Sequence, residues 1–324
     1  MKAVRCIQHG GPQLLVVEDI PVPQLKAGEV LVTVKAAGVN FPDGLIIQNK
    51  YQFKPELPFT PGGELAGVVS AVGAGVTRVK VGDAVIGFTG WGAFAEQAVL
   101  PADSLIPMPA GMPFEIAGSF LMTYGTSLHA LRDRAQLKAG ETVLVLGAAG
   151  GIGIAAIEIA KALGAKVIAA ASSAEKLKAC RDRGADETID YSTEDLRKRL
   201  KAITGGRGVD VVCDPVGGRY TELALRSMAW RGRFLVVGFA DGEIARPPLN
   251  LPLLKGCAVV GVFWGDFVKR EPLAAQRDLA DLTQFYIDKR ITPMVSLRCS
   301  LPEAGNAIEA LMRRQVVGKA VVLP

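Results

Sequence analysis

Two rhythms of apolar and polar residues divide this chain. From residue 1 to about 118, short β-type runs recur between Gly and Pro residues, at 3–7, 14–19, 29–36, 63–72, 84–87 and 93–100. Runs of that length, separated by turn signals, predict a small barrel or sandwich. From about 119 to 258, strand-type and helix-type runs alternate, with strands near 143–146, 166–171, 188–189, 209–213 and 233–237. That alternation predicts an α/β fold with a doubly wound parallel sheet. Residues 257–263 read as a further strand, 271–289 as a helix and 318–323 as a short closing strand. The tail is expected to return to the first domain. The expected division is therefore 1–118 with 259–324 as one domain and 119–258 as the other. A cleft at their junction would suit a ligand.

The most specific local pattern is Thr142-Val-Leu-Val-Leu-Gly147-Ala-Ala-Gly150-Gly-Ile-Gly153. Five strand-type residues enter a glycine-rich turn. A helical pattern follows, with Ile152, Ala155, Ala156, Ile159, Ala160 and Leu163 on one face. Glycines let the backbone approach a pyrophosphate, and a helix N-terminus offers free N–H groups and the positive end of its dipole. Gly150, Gly151, Ile152 and Gly153 are thus candidate dinucleotide-binding residues, although the pattern lacks one glycine of the full G-x-G-x-x-G. The next strand ends Ala169-Ala-Ala171-Ser172-Ser173 with no carboxylate at its tip, and Lys176 follows. An NAD site usually carries Asp or Glu there for the ribose hydroxyls. Ser172 and Lys176 suit a 2′-phosphate instead, so the expected cofactor is NADPH. The competing reading of Lys176 is an ordinary solvated lysine. The segment Gly238-Phe239-Ala-Asp241 follows a strand at a sheet carboxyl end and is expected to border the cofactor.

Composition changes this picture little. The 324 residues are 49% hydrophobic and 21% charged, with a net charge of +5. The basic run Arg197-Lys-Arg-Leu-Lys201 reads as a solvated helix face, and no nucleic-acid partner is expected. Cys6, Cys180, Cys213, Cys257 and Cys299 are far apart in sequence and form no disulfide framework. Cys6, Cys213 and Cys257, which lie in β-type runs, are expected to be buried. The first residues look like a strand rather than a signal peptide, and no apolar run has the length of a membrane span. The expectation is a cytoplasmic protein.

Several motifs together resemble the zinc-free quinone oxidoreductases of the medium-chain dehydrogenase/reductase superfamily, over essentially the whole chain. They are Ala37-Gly-Val-Asn40-Phe-Pro-Asp43, Leu57-Pro-Phe-Thr-Pro61-Gly-Gly-Glu64-Leu-Ala-Gly67, Val81-Gly82-Asp83, Thr123-Tyr-Gly-Thr126-Ser-Leu-His129, the glycine turn, and Gly318-Lys319-Ala-Val-Val. The resemblance implies a GroES-like catalytic domain beside a Rossmann domain, and a homodimer in which 257–263 extends the sheet. It implies that Asn40 is an active-site residue, orienting the nicotinamide ribose or bonding the substrate oxygen; otherwise Asn40 is a buried turn residue bonding its own backbone. Tyr51 is implied on the site wall as a hydrogen-bond donor, or else as a packing aromatic. Leu45 stands where many relatives have a second Tyr. Thr126 is implied near the nicotinamide, with a helix N-cap as the alternative. Tyr191 and Arg314 are implied near the 2′-phosphate, and Phe263 and Trp264 near the nicotinamide.

Similar zinc alcohol dehydrogenases carry Cys where Asn40 stands and Gly-His-Glu where this chain has Gly62-Gly63-Glu64. Residues 80–110 contain no Cys. A catalytic zinc ion needs about three N, S or O ligands from the protein, so no metal is expected. Glu64 is then read as a structural carboxylate, Asp43 as a residue that orients Asn40, and His129 as a satisfied helix histidine. Without a Lewis acid, a conjugated small-molecule acceptor is the expected substrate, because the negative charge spreads onto a distant oxygen. A quinone, enone or enal fits. An enoyl-CoA reductase, and an NADPH-binding regulatory or structural protein, are the alternatives.

Overall fold

The computed structural model describes all 324 residues and divides into two compact units. The first holds Met1–Met122 and Met294–Pro324, and the second Thr123–Pro293. No helix is long and apolar enough to cross a membrane.

The first unit opens with β1 (Lys2–Arg5) and β2 (Val16–Asp19), an antiparallel pair. The expected run 14–19 is shorter than its sequence suggests, because Pro12 opens a 3-10 turn over Pro12–Leu14. Next come β3 (Glu29–Val39) and helix α1 (Phe41–Ile47), which the β-type reading missed. Asn40 is the N-cap of α1, and Pro42 lies in its first turn, where a missing N–H is harmless. Strands β4 (Glu64–Val72), β5 (Ala84–Phe88), β6 (Gln97–Pro101) and β7 (Leu105–Pro107) precede the short α2 (Phe114–Ala117). The run expected at 93–100 becomes a strand only from Gln97, since residues 93–96 turn to β1: Val4 N–H donates to Phe94 O at 2.9 Å, and Ala3 bridges Ala95.

A π-helical stretch, Leu121–Gly125, leads into α3 (Thr126–Leu128) and a second π-helical stretch, His129–Arg134. The second unit then alternates strand and helix. Its elements are β8 (Thr142–Leu146), α4 (Gly151–Ala162), β9 (Lys166–Ala171), α5 (Ala174–Asp182), β10 (Glu187–Asp190), α6 (Leu196–Ile203), β11 (Val209–Asp214), α7 (Arg219–Arg226) and β12 (Met228–Val236). After them come α8 (Asn250–Lys255), β13 (Ala258–Gly261), α9 (Trp264–Arg270) and α10 (Pro272–Ile287). The sheet is parallel throughout, in the order β10-β9-β8-β11-β12-β13. Every residue of β8 is buried, as a central strand covered by helices on both faces requires. The order reverses direction at β8 and β11, so their carboxyl ends form the topological switch point where such sheets bind ligands.

One expected boundary moves. Residues 259–293 belong to the second unit and not to the first. The reason is register: β13 pairs with β12, Arg233 opposite Ala258 through Val236 opposite Gly261. Cys257, just before that strand, is half-buried, so the buried cysteines are Cys6, Cys180 and Cys213.

The chain returns to the first unit with β14 (Val295–Ser300), α11 (Ala304–Met312) and β15 (Lys319–Leu323). β15 lies antiparallel to β3, with Ala320 opposite Val39. The main sheet runs β14-β15-β3-β4-β5-β7, with β6 also paired to β3. That register sets Lys319 beside the end of β3, where α1 begins.

Candidate active site and cofactor-binding residues

In the first unit, Asn40 sits where β3 passes into α1, and its side chain is buried. Its Nδ2 donates to Gly38 O at 3.1 Å and to Glu64 Oε1 at 2.9 Å. Its Oδ1 accepts from Lys319 Nζ at 2.5 Å. Lys319 also donates to Glu64 Oε1 and to Val39 O, both at 3.0 Å. The second oxygen of Glu64 accepts from Met122 N–H at 2.9 Å. Glu64 is 0% and Lys319 4% exposed. A buried carboxylate and a buried ammonium are tolerable only when paired and hydrogen-bonded in this way.

Asp43 completes the arrangement. One carboxylate oxygen accepts from the Asn40 backbone N–H at 2.7 Å, fixing the first turn of α1. Burial raises the Asp43 carboxyl to about 7, opposed by hydrogen bonds from the Asn40 and Gly62 amides and by Lys319. Tyr51 lies in the bend after α1, half-buried, with its ring edge-on to Phe53 at 5.8 Å. Burial, and then the Asp43 charge, push its phenol up. Tyr51 therefore holds its proton more firmly than an ordinary tyrosine. Arg314 is exposed, in a left-handed conformation (φ 60) just past α11.

In the second unit, the glycine turn has the expected form. Gly147 takes a positive φ of 56, and Gly150 is the N-cap of α4. A Cβ on Gly153 would lie 2.5 Å from the backbone of Gly147 and Ala148, so only glycine lets helix and strand approach this closely. Gly151, Ile152 and Gly153 form the first turn of α4, whose N–H groups have no partners within the helix. At the end of β9, Ser172 is exposed and accepts from Lys176 Nζ at 3.3 Å, while Ser173 caps α5. The Tyr191 N–H donates to Ala171 O at 3.1 Å, and the Tyr191 ring lies 4.4 Å from that of Tyr220. Arg219 stands over Tyr220 and donates to its hydroxyl at 2.8 Å. The structure thus brings Ser172, Lys176 and Tyr191 to the ends of adjacent strands. Arg219 and Tyr220, which sequence reading passed over, join Tyr191 there.

Gly238 and Phe239 follow β12 at the carboxyl end of the sheet, with Gly238 N–H donating to Asp214 O at 3.3 Å. Phe263 is half exposed and precedes α9, whereas Trp264 is buried against Gly125. Thr126 is half-buried inside a continuous helical segment. Gly125 occupies the formal N-cap position and makes no side-chain cap, so the N-cap reading of Thr126 is corrected. Glu158 was also missed: it sits on the mainly apolar α4 but is buried, accepting from Tyr124 OH at 2.6 Å and from the Thr292 N–H and hydroxyl.

The family described as "Alcohol dehydrogenase GroES-like domain" matches residues 26–110, and that described as "Zinc-binding dehydrogenase" matches 151–281. The chain is 38% identical to a quinone oxidoreductase-like protein 2 homolog of Nematostella vectensis, over 99% of this chain and 88% of that protein. It is 36% identical to a quinone oxidoreductase of Pseudomonas aeruginosa, over 100% and 99%. Escherichia coli quinone oxidoreductase, solved as a complex with NADPH, superposes with a TM-score of 0.94 at 31% identity and 100% of both chains.

The donor set around Asn40 does not fit the zinc ion that the second family's description implies. An amide stands at position 40, and Gly63 offers no side chain. A Cβ at Gly63 would already meet Met122 Cε at 3.0 Å. The carboxylate oxygen that a cation would seek, Glu64 Oε1, already accepts from Asn40 Nδ2 at 2.9 Å and from the Lys319 ammonium at 3.0 Å.

Proposed function

Because this chain belongs to the quinone oxidoreductase family of the medium-chain dehydrogenase/reductase superfamily, we propose that it is an NADPH-dependent reductase of a quinone or an activated C=C bond. The observation that carries this reading is the fixed Asn40 amide. Its orientation follows from chemistry, since an ammonium must face its oxygen and a carboxylate its nitrogen. Both Nδ2 protons are already used, so any further bond to this side chain must be accepted at Oδ1, which already faces the Lys319 ammonium and, in the capping box of α1, the Asp43 N–H. Asn40 therefore suits a hydroxyl donor, such as the nicotinamide ribose, better than a substrate oxyanion. Tyr51 remains as the donor to that oxyanion. Its raised pKa suits a group that donates a hydrogen bond and keeps its proton, so the proton that completes reduction comes from water.

Bound NADPH supplies the hydride. Gly150, Gly151, Ile152 and Gly153 hold its pyrophosphate through backbone N–H groups. Ser172, Lys176 and Tyr191 receive the 2′-phosphate. Gly238, Phe239, Phe263, Trp264 and Thr126 border the nicotinamide half. A conjugated acceptor suits a site whose resident cation is a lysine committed to its own network rather than a Lewis acid.

Deuterium tracing tests the reading. With NADPH deuterated at C4, an enone product carries the label on its β-carbon, and a quinone gives hydroquinone with no metal added. Tyr51→Phe is expected to lower kcat about 10- to 100-fold, the worth of one hydrogen bond to a charged group. Turnover of the CoA thioester but not of the free enone would move the substrate to enoyl-CoA. Tight NADPH binding without any acceptor turnover would overturn the enzyme reading.

A further inference from the structure

A second polar cluster lies wholly inside the second unit, where the π-helical stretch His129–Arg134 meets α10. His129 and Asp133 are one helical turn apart, with His129 Nδ1 2.9 Å from Asp133 Oδ2. The imidazole is buried and stacked on Phe267, ring centroids 4.0 Å apart and planes at 18°, so its orientation is held. From α10, Asp278 joins them at 3% exposure. Its Oδ1 accepts from Arg132. Its Oδ2 is buried and meets no hydrogen-bond donor at all. The ligand-capable atoms of His129, Asp133 and Asp278 all lie within 4.8 Å of one another. They open onto a cavity of about 620 Å³ that Glu271 and Asp281 also line.

A buried carboxylate oxygen without a donor is costly, and a second carboxylate beside it adds repulsion. Arg132 relieves only one side of Asp278. Around the cavity, the four carboxylates of Asp133, Glu271, Asp278 and Asp281 face the three guanidiniums of Arg132, Arg134 and Arg277. The count leaves the site one negative charge in excess when His129 is neutral, the form in which an imidazole ligates a metal.

We propose that His129, Asp133 and Asp278 bind one divalent transition-metal ion of the zinc type, which ties the π-helical stretch to α10. One imidazole nitrogen and two carboxylate oxygens are the borderline donor set that Zn²⁺ accepts and that Mg²⁺ or Ca²⁺, which prefer oxygen alone, do not. Tetrahedral bonds of about 2.0–2.2 Å set ligand atoms roughly 3.4 Å apart, so an ion between them requires Asp133 to ease away from His129 Nδ1, now at 2.9 Å, and the wider separations of the cluster to close. Asp133, whose side chain is 34% exposed and is held by His129 and by the Arg132 Nε at 3.5 Å, makes this adjustment by exchanging those contacts for the ion, while His129 and Asp278 are fixed by packing. The fourth position opens to the cavity. This ion is separate from the chemistry proposed at Asn40, and NADPH oxidation does not depend on it.

The test is calorimetric titration of the chelator-treated full chain with ZnCl2, together with the melting temperature. The expected result is one saturable ion per chain at micromolar concentration and a raised melting temperature. His129→Ala and Asp133→Asn each weaken binding at least tenfold. Asp133 is partly exposed, so its variant keeps the test alive if the others fail to fold. Cys257→Ser and Cys299→Ser, which remove the half-buried thiols, leave binding intact. Absence of saturable binding would mean that the carboxylates share a proton only, and would overturn the proposal. So would undiminished binding in Asp133→Asn, or loss of binding in the cysteine variants.

Discussion

Lys319 is the residue on which the Asn40 site depends. It touches Asn40, Glu64 and Val39 from the far end of the chain, and its removal leaves Glu64 buried with its charge unmatched. Lys319→Met is expected to cost about 3–5 kcal/mol in denaturant unfolding, the range for breaking one half of a buried pair. The double variant with Glu64→Gln is expected to recover part of that loss. Equal loss in both would show that the pair is not coupled. Asp43 gives a pH signature. Its folded carboxyl titrates at about 7, against an ordinary 3.8. Between those values the folded chain holds a proton that the unfolded chain has lost, so this group's contribution to stability falls as pH rises through that window and is flat above it. Asp43→Asn removes the slope, and the melting temperature of the variant is expected to fall less than that of the parent between pH 4.5 and 7.5. The difference stays below about 4 kcal/mol, because holding one extra proton changes stability by about 1.4 kcal/mol for each step of one in pH. Parallel curves would contradict it. Asn40 and Asp43 were legible in the sequence through a motif. Lys319 was legible only as part of a closing motif, because its partner Glu64 is 255 residues away.

At the scale of elements, β8, the glycine turn, α4 and β9 were readable because their information is local: a strand period, a turn chemistry, then a helix period. The same logic carries the NADPH assignment. Lys176→Ala leaves Ser172 and Tyr191 in place, and it is expected to lower the NADPH-over-NADH preference in kcat/KM about tenfold, one charged contact's worth. An unchanged ratio would return Lys176 to an ordinary surface lysine. Elements whose signals are not local were missed. α1 is seven residues long, too short for a helical period, and rests on the Asn40 cap and on packing against α11, where Gly44 faces Met312. Glu158 interrupts the apolar face logic of α4 because Tyr124 and Thr292, distant in sequence, satisfy it.

For the whole molecule, the two-unit division was legible from the change of rhythm, while its second boundary was not. A run such as 257–263 is strand-like in either unit, and only pairing with β12 decides the matter. β13 is the edge of the parallel sheet, and it exposes Val259 at 48%, with Leu249, Leu253 and Leu254 on the preceding segment at 81, 75 and 67%. An uncovered apolar edge of this kind favours a second copy, and we propose a homodimer through it. Sedimentation at micromolar concentration is expected to give a dimer, and Val259→Lys a monomer. A monomeric parent protein would remove the proposal.

The central claim is tested most directly by NADPH absorbance. Chelator-treated protein is mixed with a panel of quinones and enones, and the rate is compared with that for NADH. The predicted result is acceptor-dependent oxidation that survives the chelator and prefers NADPH at least tenfold. Oxidation that needs added zinc, or that prefers NADH, would contradict the account.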